Sequence, residues 1–202
     1  MMFMLRAILL LSRQLGALKV IDSLRENNLL DNTIIIFTAD HGEMHGSHSL
    51  KGKGGFMYEN NIHVPLIIVH PDYEGGRKIS AITSHIDIAA TLADLAGASG
   101  SEDLPGKSLL PLMSGESASV REGALFCYEM LSMSMPCVEG GDSGVTYDFT
   151  KMGRGMVRGI TAEGYKFARW FAPLQFNTPA TIEELFAGND VQLFDTVNDP
   201  EE

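Results

Sequence analysis

The chain has 202 residues, of which 45% are hydrophobic and 20% are charged, a composition typical of a globular protein. That length is sufficient for one core of ordinary size, or for a domain with a small satellite. The net charge is −11, which disfavours binding to nucleic acid and to anionic membranes, so we expect neither as a partner.

The N-terminal segment contains an apolar stretch, Ala7–Leu11, which is too short to span a bilayer and has no small-residue cleavage pattern nearby. Apolar residues then recur at helical spacing, which predicts an amphipathic helix over Ser12–Glu26. A polar break over Asn27–Asn32 ends this helix. The residues at helical spacing are Leu15, Leu18, Ile21 and Leu24.

The segment Thr33–Thr38 is a short apolar run rich in β-branched residues, which predicts a strand buried on both faces. Asp40 and His41 follow directly, and Gly42 lets the backbone turn away. Ligands of open α/β sheets bind outside the carboxyl ends of the strands. A carboxylate beside an imidazole at that place suits a divalent metal ion. The alternative is a strand-end turn in which Asp40 caps a helix.

A polar, glycine-rich loop follows the Asp-His pair and carries four basic side chains. Cations on a flexible loop beside a metal ion are suited to binding a doubly charged oxyanion. Their positive charge is local in an acidic chain, so it favours a specific anion site over a general basic surface. The four residues are His45, His48, Lys51 and Lys53.

A second apolar run, Val64–His70, predicts another buried strand, which Pro71 ends. The segment Ser84–Gly97 predicts a helix, with Gly97 as its C-terminal signal. Asp87 lies near the start of this helix, where a carboxylate caps free amides and opposes the helix dipole. We therefore prefer a capping role for Asp87 over a catalytic one.

The second half of the chain predicts strands and one short helix. Gly123–Glu129 is strand-like, whereas Leu131–Lys151 is rich in Ser, Met, Gly and Asp and predicts a long loop or an insertion. A hairpin, a helix capped by Thr181 and a last strand follow. Their predicted bounds are Met156–Ile160 and Tyr165–Phe171 for the hairpin, Thr181–Ala187 for the helix, and Val191 onward for the strand.

The chain has two cysteines, Cys127 and Cys137, and they do not have the spacing of a metal site. A disulfide between them is the alternative to two unpaired side chains. We expect two free, buried thiols.

Two consecutive blocks, Asp31–Glu43 (DNTIIIFTADHGE) and His48–Pro71, resemble signature blocks of the sulfatase family, in the alkaline-phosphatase-like superfamily. Their order and spacing match the family. The segment Ser84–Gly97 resembles a family helix in which Ala90 replaces the usual proline, and Val191–Glu202 resembles the family's closing segment. Phosphonate monoester hydrolases share these blocks.

The resemblance implies an α/β fold made of the late strands and helices of a large mixed sheet, followed by a small α+β subdomain. Residues 1–120 would form the C-terminal part of the sulfatase catalytic domain, and residues 121–202 would form the subdomain. The N-terminus resembles the middle of a larger fold rather than a natural beginning.

The resemblance also implies roles for single residues. Asp40 and His41 would be metal ligands, and Lys53 would contact the sulfate group and neutralise charge that builds on it. His48 would contact the substrate or the leaving group. Calcium is the first choice of metal, but the nitrogen ligand admits manganese or zinc. We expect His45 and Lys51 to be surface residues, and we assign His63 no role.

The implied activity is hydrolysis of a sulfate ester, on a small molecule or a glycan, by a formylglycine nucleophile made from the motif C/S-x-P-S/T-R. Neither Cys127, Cys137 nor any serine lies in that motif, and the family's N-terminal acidic pair is missing. We therefore expect little activity from this chain alone. The alternatives are phosphonate monoester or phosphodiester hydrolysis, or a non-catalytic remnant. We also expect self-association through an unpaired strand edge, or a complementing N-terminal half as a partner.

Overall fold

The computed structural model describes residues 16–129, 137–140, 144–147, 153–173 and 178–202. The described residues form two compact units. The first contains residues 16–38 and 65–78, and the second contains residues 39–64, 79–129 and the later described segments.

The first unit consists of a helix, α1 (residues 16–26), and two antiparallel strands, β1 (Ile35–Thr38) and β2 (Leu66–Val69). The predicted helix and both predicted strands are confirmed, although each strand is shorter than its apolar run. The predicted start of the helix lies outside the described residues.

The prediction that β1 is buried on both faces is wrong. Phe37 of β1 is 46% exposed and lies opposite Ile67 of β2, which is 56% exposed. In the described part of the chain this sheet has two strands, and a two-stranded ribbon cannot cover both of its own faces.

The second unit is built on an antiparallel sheet of four strands in the order β3-β6-β7-β8. The predicted hairpin of β6 and β7 is confirmed, and Gly164 adopts a φ of +74° in its turn. A short helix, α5, precedes β8, and the Thr181 hydroxyl accepts a hydrogen bond of 3.1 Å from the Glu184 amide, as predicted. The bounds are β3 Gly123–Tyr128, β6 Met156–Ala162, β7 Tyr165–Phe171, α5 Ile182–Gly188 and β8 Asp190–Asp195.

One face of the four-stranded sheet packs against the segment that follows the basic loop. Met57 of that segment is buried with Val157 of β6 and Ala168 of β7, and larger side chains surround this cluster. Burial of these apolar side chains is the main force that fixes the segment on the sheet. The surrounding side chains are Ile62, Phe126, Tyr128, Trp170 and Phe194.

The segment predicted as a long loop, Leu131–Lys151, contains two short strands. They are β4 (Cys137–Gly140) and β5 (Gly144–Tyr147), which pair antiparallel. The loop alternative is wrong for these eight residues, whereas the alternative of an insertion stays a prediction. The remaining residues of the segment lie outside the described part. The composition of the segment suggested a loop because Ser, Gly and Asp are common in turns and loops. Strand formation here depends instead on pairing with a partner strand.

The predicted helix after β2 is α3 (His85–Leu95), and Gly97 follows it with a φ of +61°. Ser84 and Asp87 form a capping box at its N-terminus, so the predicted capping role of Asp87 is confirmed. The Asp87 carboxylate is fully buried, accepts a hydrogen bond of 2.8 Å from the Lys107 amide, and pairs with the Arg121 guanidinium. This pairing connects α3 to the segment that enters β3.

Cys127 is a free thiol, as predicted, but it is exposed rather than buried. It lies on β3, at the edge of the four-stranded sheet, where no further strand covers it among the described residues. The side chain of Cys137 lies outside the described part.

Two further α-helices are α2 (Glu59–Ile62), which precedes β2 in the sequence, and α4 (Leu110–Ser114), which precedes β3. Three short 3-10 helices span Leu30–Asn32, Ser47–Ser49 and Ser101–Asp103. None of the helices in the described ranges combines the length and the apolarity that a bilayer crossing requires.

Candidate metal and anion site

Asp40 and His41 follow β1 by two and three positions, and their side chains face each other. His41 Nε2 lies 3.4 Å from Asp40 Oδ2, and the Asp40 side chain is 85% exposed. A carboxylate oxygen and an imidazole nitrogen therefore lie together at an open position, as two ligands of one metal ion would require.

The His41 ring is oriented by its own turn. Nδ1 lies 2.7 Å from the Gly42 carbonyl oxygen, which can only accept, so Nδ1 carries the proton and Nε2 presents its lone pair. Metal-binding histidines commonly donate their other ring N–H to a carbonyl or a carboxylate in this way. The arrangement therefore suits Nε2 as a metal ligand.

Lys53 completes the cluster. Its Nζ donates a hydrogen bond to His41 Nε2, although the two residues are twelve positions apart. Desolvation raises the pKa of Asp40, but the electrostatic interaction with His41, backbone hydrogen bonds and the positive charge of Lys53 outweigh it and lower that pKa below its ordinary value. The carboxylate is therefore ionised near neutral pH, as a metal ligand must be.

The turn after His41 is held by α2. The Gly42 amide donates to the Asn61 carbonyl at 2.9 Å, and the Glu43 amide donates to the Asn60 carbonyl at 2.8 Å. Gly42 is required here, because a Cβ atom at this position would lie 2.0 Å from the Asn60 carbonyl oxygen.

The segment after Lys53 is held by the four-stranded sheet. Trp170 Nε1 of β7 donates to the Gly55 carbonyl at 2.9 Å, and Met57 enters the core beneath. Gly55 allows this close packing, since a Cβ atom there would lie 2.9 Å from Val157 and 3.0 Å from Tyr128. The sheet thus fixes the backbone that carries Lys53.

His48 has a different environment from the other predicted site residues. Its ring stacks on Tyr58, with centroids 3.9 Å apart and an interplanar angle of 10°, and Tyr58 contacts Phe194 edge-on. His48 and Ser49 adopt positive φ angles of 51° and 60°, which non-glycine residues rarely adopt. The structure therefore brings Asp40, His41 and Lys53 into contact and places His48 on Tyr58.

A histidine that the sequence did not single out contacts the same turn. The His85 Nε2 atom, at the start of α3, lies 2.8 Å from the Ala39 carbonyl oxygen and donates to it. Ala39 directly precedes Asp40, so α3 supports the backbone of the candidate ligand.

A buried ion cluster lies at the start of α2. The Lys166 side chain of β7 is fully buried, and its Nζ lies 3.0 Å from Glu59 Oε2 and contacts the Glu202 carboxylate. Glu202 Oε2 also accepts a hydrogen bond of 2.8 Å from the Glu59 amide. The cluster ties the end of the described chain and β7 to the helix that holds Gly42.

The remaining basic residues of this region lie at the surface. His45 and Lys51 are exposed, as predicted, and exposed His63 pairs with the Glu59 carboxylate. Nothing in these contacts gives His63 a part in the site.

The residues that the structure describes contain no group of three or more His, Cys, Asp and Glu side chains arranged to hold an ion. Asp40 and His41 fit such an ion as two ligands, because the donor atoms are of the right chemistry and His41 Nε2 is correctly presented.

Sequence reasoning missed three residues that shape the site, namely Asn61, His85 and Trp170. Each acts through a side-chain hydrogen bond to a backbone carbonyl, which lies 7 positions away for Asn61, 46 for His85 and 115 for Trp170. Such partners leave no local pattern, and nothing in the sequence distinguishes Asn61 from its neighbour Asn60.

Comparison with known proteins shows which family this part of the chain resembles. The sequence model of the Sulfatase family matches residues 17–98, which include the Asp-His pair, Lys53 and α3. This segment belongs to the sulfatase family. Curated relatives support this: arylsulfatase K from Canis lupus familiaris is 42% identical over 96 residues, and arylsulfatase K from Homo sapiens is 40% identical over 96 residues.

Solved structures extend the likeness beyond this segment to most of the chain's length. The phosphonate monoester hydrolase of Agrobacterium radiobacter superposes with a TM-score of 0.66 and 29% identity over 94% of this chain. A protein named BT4656, solved with its substrate D-glucosamine-2-N,6-O-disulfate, superposes with a TM-score of 0.65 and 25% identity over 91% of this chain. These neighbours confirm the predicted α/β, alkaline-phosphatase-like fold class. The division near residue 120 stays a prediction.

The relatives are much longer than the matched region. The alignments with both arylsulfatase K proteins take in 48% of this chain and 18% of the relative. The match covers 33% of the Agrobacterium radiobacter structure and 31% of BT4656.

Proposed function

We propose that this chain carries the metal- and anion-contacting part of a sulfatase, an enzyme that hydrolyses sulfate esters. The observation that carries the proposal is the convergence of Asp40 Oδ2, His41 Nε2 and Lys53 Nζ directly after β1. The sulfatase-family segment supports it, because it contains all three residues.

In this proposal Asp40 and His41 hold a divalent ion, calcium in the first place, with manganese or zinc admitted by the nitrogen ligand. When bound, such an ion polarises the ester and stabilises the developing negative charge. The Gly42 carbonyl keeps His41 Nε2 deprotonated and correctly oriented for this role.

Lys53 is the anion-binding residue of the proposal. Its ammonium group would neutralise negative charge on the sulfate group as the ester bond breaks. His41 Nε2 has one lone pair, which serves either Lys53 or a metal ion. Metal loading would therefore free the Lys53 amine to bind the substrate anion.

His48 would contact the substrate or the leaving group. The stack on Tyr58 supports this role because it limits the freedom of the ring in an otherwise exposed loop. A histidine fixed in one orientation loses less entropy when it binds a substrate.

The proposed enzyme needs more than this chain. We propose that the formylglycine nucleophile and the remaining metal ligands come from sulfatase sequence outside it, and that this chain alone has little activity. Supporting this, the alignments span 18% of the arylsulfatase K relatives. A complementing N-terminal half would then be a natural partner.

The substrate class is a sulfate ester on a small molecule or a glycan. BT4656, bound to a disulfated glucosamine, supports a sulfated sugar. Hydrolysis of phosphonate monoesters or phosphodiesters is the second candidate, supported by the likeness to the phosphonate monoester hydrolase. The ratio of turnover of an aryl sulfate to that of a phosphonate monoester, measured after reconstitution with a complementing half, separates the two.

Calorimetric titration with Ca²⁺ and Mn²⁺ tests the site directly. We expect wild-type protein to bind at least one of these ions weakly, because two protein ligands give low affinity. Asp40→Asn should abolish the binding, since it removes the charged ligand. Asp31→Asn, a change at an exposed aspartate in the same sequence block, is the matched control and should leave binding unchanged.

Absence of binding in wild-type protein would contradict a working part-site and favour a non-catalytic remnant. Binding that survives in Asp40→Asn would show that the ion lies elsewhere.

A further inference from the structure

Asn61 is a buried polar residue whose side chain forms three hydrogen bonds. It is 4% exposed. Its Nδ2 group donates to the Gly54 carbonyl at 2.9 Å and to the Phe56 carbonyl at 2.7 Å, and its Oδ1 accepts from the Gly54 amide at 3.3 Å. Both hydrogens of the Asn61 amide group are therefore donated to carbonyls of the segment that directly follows Lys53.

The backbone of the same residue holds the other half of the cluster. The Asn61 carbonyl accepts the Gly42 amide at 2.9 Å, and Gly42 directly follows His41. One residue of α2 is thus bonded to the neighbours of His41 and of Lys53, which themselves are twelve positions apart.

We infer that Asn61 is a positioning residue that holds the Lys53 amine against the His41 ring. The inference deepens the proposed function and rests on it, because it assigns the support of the same metal and anion site. Asn61 contacts neither reacting group directly; it acts through the backbone of residues 54–56 and of Gly42.

The chemistry of the amide explains why asparagine is needed. A primary amide supplies two donors and one acceptor, which is the set that the two carbonyls and the Gly54 amide require. An aspartate of the same shape would face two carbonyl oxygens without a donor. An alanine would leave the buried Gly54 amide without this acceptor, which is costly.

The adjacent residue offers a matched control. Asn60 also contributes a backbone carbonyl to the turn, but its exposed side chain donates to Ser47 Oγ and not to the segment after Lys53. Asn60→Asp and Asn61→Asp are therefore the same chemical change at neighbouring positions of α2, and only the second removes the contacts in question.

The test compares the nitrogen and proton NMR signals of the His41 ring in the wild type and both variants, without metal. We expect Asn61→Asp to remain folded but to shift the Nε2 signal, because Lys53 no longer holds its position. We also expect the Gly54 amide to exchange at least about tenfold faster. Asn60→Asp should leave the His41 ring signals at their wild-type positions and the Gly54 exchange rate within about twofold of the wild-type rate. Unchanged His41 signals in a folded Asn61→Asp would overturn the inference, since a purely structural role predicts that result.

Two further measurements keep the test decisive. If Asn61→Asp does not fold, the same comparison is made with Asn61→Ser. The exchange rate of the Gly54 amide in the wild type is a separate test, because a rate as fast as in an unfolded chain would overturn the inference. Titration with Mn²⁺ adds a second readout, in which Asn61→Asp should strengthen binding by about threefold, because a displaced Lys53 no longer competes for the His41 Nε2 lone pair. Wild-type protein that binds no Mn²⁺ counts against the proposed function only, because the His41 signals still decide the role of Asn61.

Discussion

The lone pair of His41 Nε2 connects the two parts of the site. In this structure Lys53 donates to that atom, which lies 3.4 Å from the Asp40 carboxylate. A positive side chain next to the two proposed metal ligands opposes binding of a cation and favours binding of an anion. Lys53 therefore has opposite effects on the two ligands that the site is proposed to bind.

This opposition gives a prediction for Lys53→Met, which keeps a long side chain and removes the charge. Mn²⁺ affinity should rise by about threefold to tenfold, because a competing donor and a repelling charge are lost. Affinity for inorganic sulfate, measured in the presence of Mn²⁺, should fall. Calorimetry on both ligands checks the prediction, with exposed Lys51→Met as the control. A variant in which both affinities fall would show that Lys53 supports the fold of the site instead.

Glu59 shows how the support of the site depends on pH. Desolvation raises the pKa of Glu59, but the hydrogen bond and charge of Lys166, together with His63, outweigh it and lower that pKa below its ordinary value of 4.5. A depressed pKa in the folded state means that ionised Glu59 stabilises the fold. That stabilisation is fully present above the unfolded-state pKa and is lost as the pH falls through the lower folded-state value.

We expect Glu59→Gln to lower the free energy of unfolding at pH 7 by about 1 kcal/mol, a value kept small because the Glu59 side chain is 48% exposed. The difference from the wild type should shrink as the pH falls below about 4.5. Urea unfolding at several pH values measures it, and exposed Glu163→Gln on the β6–β7 turn is the control. A difference that does not change with pH would mean that packing, not charge, is lost.

Among the elements, α3 depends most on a single side chain. The Asp87 carboxylate accepts hydrogen bonds from the Ser84 and Lys107 amides and pairs with Arg121. It therefore caps the helix, anchors the connector after it, and neutralises the charge of Arg121, whose side chain is only 14% exposed.

Asp87→Asn should lower the free energy of unfolding by about 3 kcal/mol, because the largely buried Arg121 guanidinium then has no negatively charged partner at position 87. Chemical denaturation measures this effect. Asp94→Asn, an exposed change near the other end of α3, should leave stability unchanged or slightly raise it, since a negative charge there opposes the helix dipole. Equal effects of the two changes would contradict the role of Asp87.

Elements defined by local signals were predictable from the sequence. Ser84, Asp87 and Gly97 mark the two ends of α3, and Thr181 marks the start of α5, because caps act within a few residues. The burial of β1 was not predictable, since it depends on strands that the described chain does not supply. The pairing of β4 with β5 was missed for a related reason, as it depends on a partner and not on composition.

The residues of the candidate site also divide into those that a local sequence signal marks and those that depend on distant contacts. Asp40 and His41 are adjacent, and their position after an apolar run was enough to suggest a metal site. The contact of Lys53 with His41 depends on a loop whose course is set by Asn61 and by Trp170, which lies 115 positions from its partner Gly55. Tertiary contacts over such distances cannot be read from periodicity or spacing.

For the whole molecule, the ribbon of β1 and β2 is the feature with the largest consequence. Phe37 and Ile67 lie opposite each other and are 46% and 56% exposed. Exposed apolar strands tend to pair with other chains. We therefore propose that this ribbon drives self-association, or binding to a complementing half, in solution.

Sedimentation analysis at several concentrations tests this proposal. Wild-type protein should form concentration-dependent oligomers, and Ile67→Lys should shift the distribution toward monomer, because a charge on the ribbon opposes pairing. Ile182→Lys on α5, where the wild-type side chain is 69% exposed, controls for a general loss of surface hydrophobicity. A wild-type chain that stays monomeric and unfolds cooperatively would count against the ribbon as an interface.

The burial of Lys166 also determines which amines a chemical reagent can reach. Its side chain has no exposed surface, and its amine is enclosed by the carboxylates of Glu59 and Glu202. An amine-specific label should modify exposed Lys51 at once and Lys166 only when the end of the chain detaches from β7. The delay between the two labels, followed by mass spectrometry, would time that detachment without any mutation.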